Sequence, residues 1–410
     1  MRKLLPFAAV PLLIFCSLYR GLFWKIGHDP LLSFAMAGAF VVHLWRRPSR
    51  VELGVTAAVA VLLRLVYESL TRPGPAYFGH AVIGWGTYLG LASLAVLSWR
   101  ALRTEGGLRR GLAGDLGVGA ALFGFWILLD LGLAATAVFI PHTLDRYLYG
   151  FDGSLGFQLS FQLGRVIDGH SFATGLVQTV YVAIALPLAL LYAWQRRCGY
   201  AGGYAIFPLV MAAAAGGYLV YYIFPATGPL FEFPGQFPWH IPQPILSPGD
   251  FVPLQQRFAR NAMPSLHLGA VLLVCWNSRL CPRWGRVAAW LFLAMTAFST
   301  LALGQHYLVD LVVAFPAMLI FHAAAMTSVP LHAPERWAPI GFGIVTTAGW
   351  LLLLRFGSAL WTLPGISHFL VAGTLAGTCL LESRLAARAG LVHQANVYRL
   401  PEKARALVAG

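Results

Sequence analysis

The chain has 410 residues, of which 58% are hydrophobic and only 11% are charged, and its mean hydropathy is +0.69. Soluble globular proteins carry about 25% charged residues, so this composition excludes that class and indicates a protein of the lipid bilayer. The net charge of +14 does not indicate nucleic-acid binding, because the basic residues occur in short runs between apolar stretches. The five cysteines show neither metal-binding spacing nor a disulfide framework.

Apolar stretches of the length needed to cross a bilayer recur about twelve times along the chain. The first, 4–24, resembles a signal peptide, but bulky side chains occupy the position where a cleavage site needs small ones. We therefore interpret it as a membrane span. The chain is predicted to be an all-α polytopic membrane protein with spans at 4–24, 30–45, 51–70, 79–99, 111–140, 171–194, 203–224, 265–280, 284–303, 305–326, 337–356 and 362–383.

The distribution of basic residues predicts the orientation of these spans. Positively charged residues concentrate on the cytoplasmic side of membrane proteins. With the N-terminus inside, twenty of the 29 lysines and arginines fall in cytoplasmic segments, eight fall on the opposite side, and Arg64 falls within a span. Both termini are therefore predicted to be cytoplasmic.

Two of the predicted non-cytoplasmic loops are long. In 141–170, apolar and polar residues alternate at helical spacing, which predicts an amphipathic helix lying along the membrane surface. The loop 225–264 is rich in proline and aromatic residues and is predicted to be an irregular but stiff cap over a cavity.

The clearest group of ionisable residues is at the start of the span 305–326. His306 and Asp310 are four residues apart, so on a helix they share one face. The carboxylate can then hold one ring nitrogen of His306 and leave the other as a nucleophile. A polar pair that joins two helices is the alternative interpretation.

A second histidine lies at the start of an earlier span. Pro264 and Ser265 indicate a helix start and place His267 in the first helical turn. In the predicted topology His267 and His306 lie at similar depth near the same, non-cytoplasmic side of the membrane. The two imidazoles are therefore expected to be close to each other. The N–H groups of that first turn and the Ser265 hydroxyl would form a site for a phosphate group.

These residues resemble two motifs of the type 2 phosphatidic acid phosphatase superfamily. The second motif of that superfamily, Pro-Ser-Gly-His, is similar to Pro264-Ser265-Leu266-His267, with leucine in place of glycine. The third motif has a serine seven residues before a histidine and an aspartate four residues after it, and Ser299, His306 and Asp310 match this pattern.

Two cationic phosphate ligands of the superfamily have no counterpart here. Thr300 stands where the third motif has arginine, and the region 221–229, where the first motif should lie, contains no basic residue. Pro-Ser-Leu-His, Phe224-Pro225 and a His-Tyr followed by an aspartate resemble the inositol phosphorylceramide synthase branch, whose members transfer a phospho-headgroup between lipids.

The resemblance implies a division of the chain and a role for each motif residue. Residues 111–326 would form a six-helix catalytic core, preceded by a membrane region of about four helices in 1–110 and followed by two helices and a basic tail in 327–410. His306 would attack phosphorus to give a phosphohistidine, Asp310 would hold its other ring nitrogen, and His267 would serve as acid and then base.

The substrate phosphate needs cationic or hydrogen-bonding partners. We predict that Ser265, Arg257 and Arg260 supply them, since arginine suits bidentate contact with phosphate. Neither a cofactor nor a metal is predicted. The expected partners are a lipid phosphate or phospholipid donor and an alcohol or water acceptor. They are expected to reach the site from the periplasmic, exterior or lumenal face. No nucleic-acid partner is expected.

Three alternatives remain open from the sequence. The same site would suit a phosphatase that transfers the lipid or polyprenyl phosphate to water. Two histidines and a carboxylate are also a ligand set for zinc or iron. A transporter or flippase would use His306 and Asp310 to relay protons.

Overall fold

The computed structural model describes residues 25–71, 77–198, 205–242, 252–253, 258–361 and 363–398. Its helices are α1 Pro30–Trp45, α2 Arg50–Leu70, α3 His80–Ile83, α4 Trp85–Arg103, α5 Gly106–Phe139, α6 Asp145–Ser154, α7 Leu159–Ile167, α8 Ser171–Val182, α9 Ala185–Cys198, α10 Ile206–Ile223, α11 Pro229–Glu232, α12 Leu266–Asn277, α13 Arg283–Ala302, α14 Leu308–Ala325, α15 Pro334–Phe356, α16 Ser358–Trp361 and α17 Ile366–Tyr398. A 3₁₀ turn, Ser278–Leu280, follows α12. Two short strands, β1 His142–Thr143 and β2 Val252–Pro253, pair antiparallel with His142 opposite Pro253.

Eight helices in the described part of the chain are long and apolar enough to cross a membrane, or up to nine if the bent pair α8 and α9 forms one span. The predicted polytopic helical protein is therefore confirmed, but the count of about twelve spans is not. Two predicted spans, 30–45 and 265–280, correspond to the short apolar helices α1 and α12, and the predicted span 4–24 lies outside the described residues.

The chain divides into two compact units. The first comprises Met1–Asp130 and Gln178–Ala193, and the second comprises Leu131–Val177 and Trp194–Gly410. In the first unit α1 packs closely against α4, since glycine at positions 86 and 90 leaves room for the backbone of α1. A Cβ at Gly86 or Gly90 would lie only 2.3 or 2.2 Å from a backbone oxygen of α1. Small residues four apart allow such close helix packing in membrane proteins.

The second unit is built around α14. This helix packs against α10, α12, α15 and α17, and the helix pairs α12–α13 and α15–α17 also pack together. A cluster of buried apolar and aromatic residues joins the start of α14 to α6 and to the C-terminal helices. The start of α14 therefore lies inside the unit, surrounded by protein.

The segment predicted to lie along the membrane surface forms two helices, α6 and α7. The prediction of a surface helix is wrong for α6, where Tyr147, Leu148, Phe151 and both aspartates are buried. The alternation of polar and apolar residues was real, but α14, α15 and α16 all pack against α6. Only α7 keeps one buried and one exposed face.

Candidate active site

The helix start predicted from Pro264 and Ser265 is present. α12 begins at Leu266, and Ser265 is its N-cap, with a side-chain oxygen that accepts the Leu268 N–H at 3.3 Å. A serine in this position satisfies one of the N–H groups that a helix start leaves without a partner. His267 is consequently held in the first turn of α12.

His306 lies just before α14, in the connection from α13. The sequence predicted His306 and Asp310 on one helix, but α14 begins only at Leu308. Asp310 occupies the first turn, and its Oδ2 accepts the backbone N–H of Tyr307 at 2.8 Å. This bond turns the chain so that His306 still approaches the carboxylate.

The three predicted catalytic side chains meet at the starts of α12 and α14. The ring centroids of His267 and His306 are 6.2 Å apart, with the rings at 62°. His306 Nδ1 lies 3.4 Å from Asp310 Oδ2, and His306 Nε2 lies 3.2 Å from Ser265 Oγ. His306 Nδ1 and Asp310 Oδ1 are both buried and make no hydrogen bond within the described residues.

Burial sets the charge state of His306. Loss of solvent lowers the pKa of His306 to about 3, and the nearby backbone of Ala262 opposes this shift. The imidazole is therefore neutral at neutral pH. A neutral ring with Nδ1 turned to Asp310 leaves the Nε2 lone pair on the side of Ser265, which is the form that a nucleophile requires.

The structure describes only one of the two arginines that were predicted to bind phosphate. Arg257 lies outside the described residues. Arg260 is buried, and its guanidinium donates to the backbone carbonyls of Ile140 and Phe258. Asp145 and Glu232 are its electrostatic neighbours. The two backbone carbonyls thus hold its charge in a fixed position.

Sequence reasoning missed two acidic residues of α6. Asp145 and Asp152 are 0% and 1% exposed, and burial raises their pKa values to about 6 and about 8. Asp145 accepts the N–H groups of Thr227 and Gly228, and Asp152 accepts those of Leu308 and Val309. Both lie on the apolar stripe of the helix beside Leu148, and a carboxylate on an apolar face was the signal that could have revealed them.

The loop predicted to be a cap packs against the segment that carries His306. The Leu230 N–H donates to the Gly304 carbonyl at 2.9 Å. Phe237 contacts Phe161 with ring centroids 5.2 Å apart, and Arg165 donates to the Pro238 and Trp239 carbonyls. The described part of the cap is therefore a packed structure that adjoins the connection before His306.

Gly228 fixes the closest approach between the cap and this connection. Its φ of 99° and ψ of 161° belong to a region that is essentially restricted to glycine. A Cβ there would lie 2.3 Å from the Gln305 carbonyl oxygen. We expect Gly228→Ala to lower the free energy of unfolding by at least about 2 kcal/mol and to lower the thermal unfolding temperature of the purified protein.

Gly235 in the same segment is the matched control. It also has a positive φ, 74°, but a Cβ there would have no neighbour within 4 Å. Gly235→Ala should therefore lower the unfolding temperature less. Equal losses for the two variants would mean that the contact with Gln305 does not hold the cap.

Comparison with known families supports a phosphatase-type enzyme. Residues 146–324, less than half of the chain, match the family described as the PAP2 superfamily. The matched segment contains Ser265, His267, His306 and Asp310, which confirms the resemblance at the level of the superfamily. No curated protein and no solved structure matches the chain.

Proposed function

We propose that the chain transfers a phospho-headgroup from a membrane lipid to an alcohol acceptor through a phosphohistidine intermediate. The observation that carries the proposal is the meeting of the two imidazoles, 6.2 Å apart, with the Asp310 carboxylate 3.4 Å from His306 Nδ1. This arrangement offers a nucleophile, a group that orients it and a second ring for proton transfer.

In the first step, His306 Nε2 attacks the phosphorus of the donor lipid. The P–N bond forms while the P–O bond to the leaving alcohol breaks, and His267 gives a proton to the departing oxygen. Burial lowers the pKa of His267 to about 3 when no substrate is bound, so His267 takes up this proton together with the phosphate anion, whose negative charge favours the imidazolium. Asp310 stabilises the positive charge that develops on the His306 ring. The products are phosphorylated His306, neutral His267 and the free alcohol.

In the second step, the acceptor alcohol attacks the same phosphorus. His267 removes the hydroxyl proton, the new P–O bond forms, and the P–N bond breaks. His306 returns to its neutral form and His267 to its protonated form. Protons and charges therefore balance over one cycle.

Transfer to an alcohol is favoured over hydrolysis by the surroundings of the site. Water would intercept the phosphohistidine unless the cavity excluded it. The cap packs on the connection before His306, and Ser265, His306 and Asp310 are each 0–1% exposed. The Pro264-Ser265-Leu266-His267 motif adds its resemblance to the inositol phosphorylceramide synthase branch.

The phosphate oxygens need partners in place of the missing cationic ligands. The Ser265 hydroxyl lies 3.2 Å from the attacking nitrogen and is placed to donate to one oxygen. Arg260 contributes positive charge from its fixed position, and Arg257 is the second arginine that we assign to this role. The distribution of basic residues supports a site that faces the periplasm, the exterior or an organelle lumen.

The proposal is tested with the purified full-length chain in lipid nanodiscs. Phosphatidic acid, phosphatidylinositol and a polyprenyl phosphate, each labelled in the phosphate, are supplied with and without ceramide as acceptor. We expect label to move to an added alcohol faster than it appears as water-soluble phosphate.

Each other result has a defined meaning. Release of soluble phosphate at the same rate with and without acceptor would identify a hydrolase. Failure to cleave any donor, together with movement of intact lipid across the bilayer of sealed vesicles that contain the chain, would favour the transporter. Activity that is lost on chelation and restored by zinc or iron would favour a metal site, although no group of three or more His, Cys, Asp or Glu side chains in the described residues is arranged to hold a metal.

A further inference from the structure

Asp152 is a buried carboxyl group for which the mechanism above has no use. It lies in α6, more than 150 positions before the helix that it contacts, and is 1% exposed. Its Oδ2 accepts the Leu308 N–H at 2.7 Å, and its Oδ1 accepts the Val309 N–H at 3.1 Å. Both carboxyl oxygens therefore accept a hydrogen bond from the start of α14.

The N–H groups that Asp152 accepts belong to the first turn of α14, where no intrahelical acceptor exists. The preceding N–H, of Tyr307, is taken by Asp310. Two carboxyl groups thus accept the N–H groups of the three residues that directly follow His306. Directly before these N–H groups, Ser160 Oγ donates to the His306 carbonyl at 2.7 Å.

The helix that carries Asp152 is itself fixed by the C-terminal helices. The Phe151 ring makes edge contacts with Trp350 and Trp361, with centroids 5.0 and 5.7 Å apart. Ser154 Oγ lies 2.6 Å from Ser367 Oγ. These three partners lie beyond 146–324, the segment that matches the family.

We infer that Asp152 and Ser160 form a backbone clamp that positions His306 for attack. The inference rests on the proposed function, since positioning matters only if His306 reacts. The clamp holds the backbone from the His306 carbonyl to the Val309 N–H, and so fixes the position from which Nε2 attacks phosphorus. A displacement of about 1 Å is enough to slow an enzyme about a hundredfold.

Asp152→Asn tests the clamp with almost no change in shape. Asparagine keeps one acceptor oxygen but turns an NH₂ group toward a second N–H donor, so one hydrogen bond is replaced by repulsion. We expect kcat per folded molecule to fall at least about tenfold while KM stays within about twofold, because substrate binding does not involve this residue. In single turnover, formation of the phosphorylated enzyme should slow by the same factor as kcat.

Glu52→Gln is the matched control. Glu52 also accepts a backbone N–H at a helix start, that of Ser49 at 2.7 Å, but it belongs to α2 in the first unit. Its substitution should leave kcat and KM unchanged. A general loss of folded protein would instead lower the yield of both variants without changing kcat per folded molecule.

Ser160→Ala keeps the inference testable if Asp152→Asn does not fold. It removes only the donor to the His306 carbonyl, and we expect a fall in kcat of about threefold to tenfold at constant KM. Wild-type kcat in every folded variant would overturn the clamp. Inactivity of the wild type toward all donors would overturn the proposed function instead, so the two failures are distinguishable.

Discussion

Replacing His306 by alanine is expected to abolish turnover of every donor. The His306 ring lies 3.4 Å from Asp310 Oδ2 and 3.2 Å from Ser265 Oγ, and alanine removes the attacking nitrogen from this position. Loss of a covalent nucleophile reduces turnover by at least about 10⁴-fold. The measurement is transfer of labelled phosphate from donor lipid in nanodiscs, together with labelling of the chain itself.

His322→Ala is the control for this variant. His322 is buried in the same helix, near its other end, where its ring contacts Trp276 at a centroid distance of 5.1 Å and its Nε2 lies 3.6 Å from Glu382 Oε1. We expect the control to lose stability but to keep its turnover per folded molecule. A His306→Ala protein that still moved label, or still became labelled, would exclude His306 as the nucleophile.

His267→Gln is expected to give the second largest effect, and one that depends on the leaving group. Loss of a general acid and base slows turnover of a lipid donor by about 10²-fold to 10⁴-fold. An ester with an acidic leaving alcohol, such as p-nitrophenol, needs no proton from His267, so it should phosphorylate the variant at a nearly normal rate. The second step still needs a base, and phosphorylated His306 should therefore accumulate.

The accumulation can be measured as label bound to the chain. The bond should be stable in alkali and labile in acid, as a phosphorus–nitrogen bond is, and should be absent in the double variant with His306→Ala. His332→Gln, at an exposed histidine between α14 and α15, should behave as the wild type. Equal slowing of both esters by His267→Gln would assign His267 a role other than proton transfer.

The local signals in the sequence were sufficient for the main elements of the site. Pro264 and Ser265 predicted a helix start, and α12 begins directly after them because an N-cap is decided by the residue itself and its nearest N–H groups. The resemblance to the superfamily identified His267, His306 and Asp310, and the fold brings them together. Their catalytic roles stay predictions for the experiments above.

Local spacing and hydropathy were misleading about where helices begin and end. His306 and Asp310 are four residues apart, which predicted a shared helix, yet the hydrogen bond from Tyr307 N–H to Asp310 starts the helix only at Leu308. Hydropathy likewise identified α1 and α12 as spans although they have only 16 and 12 residues. Hydropathy measures how apolar a stretch is, but it does not show at which residue the hydrogen bonds of the helix end.

The sequence by itself determined that this is a helical membrane protein with two histidine motifs at helix starts, because hydropathy and capping depend on neighbouring residues. Only the tertiary structure decided what surrounds α6. Helical spacing in 141–170 predicted two different faces, but it carried no information on what covers them. Asp152 meets the N–H groups of residues more than 150 positions later, and such a partner exists only once α6, α14 and the C-terminal helices have packed together.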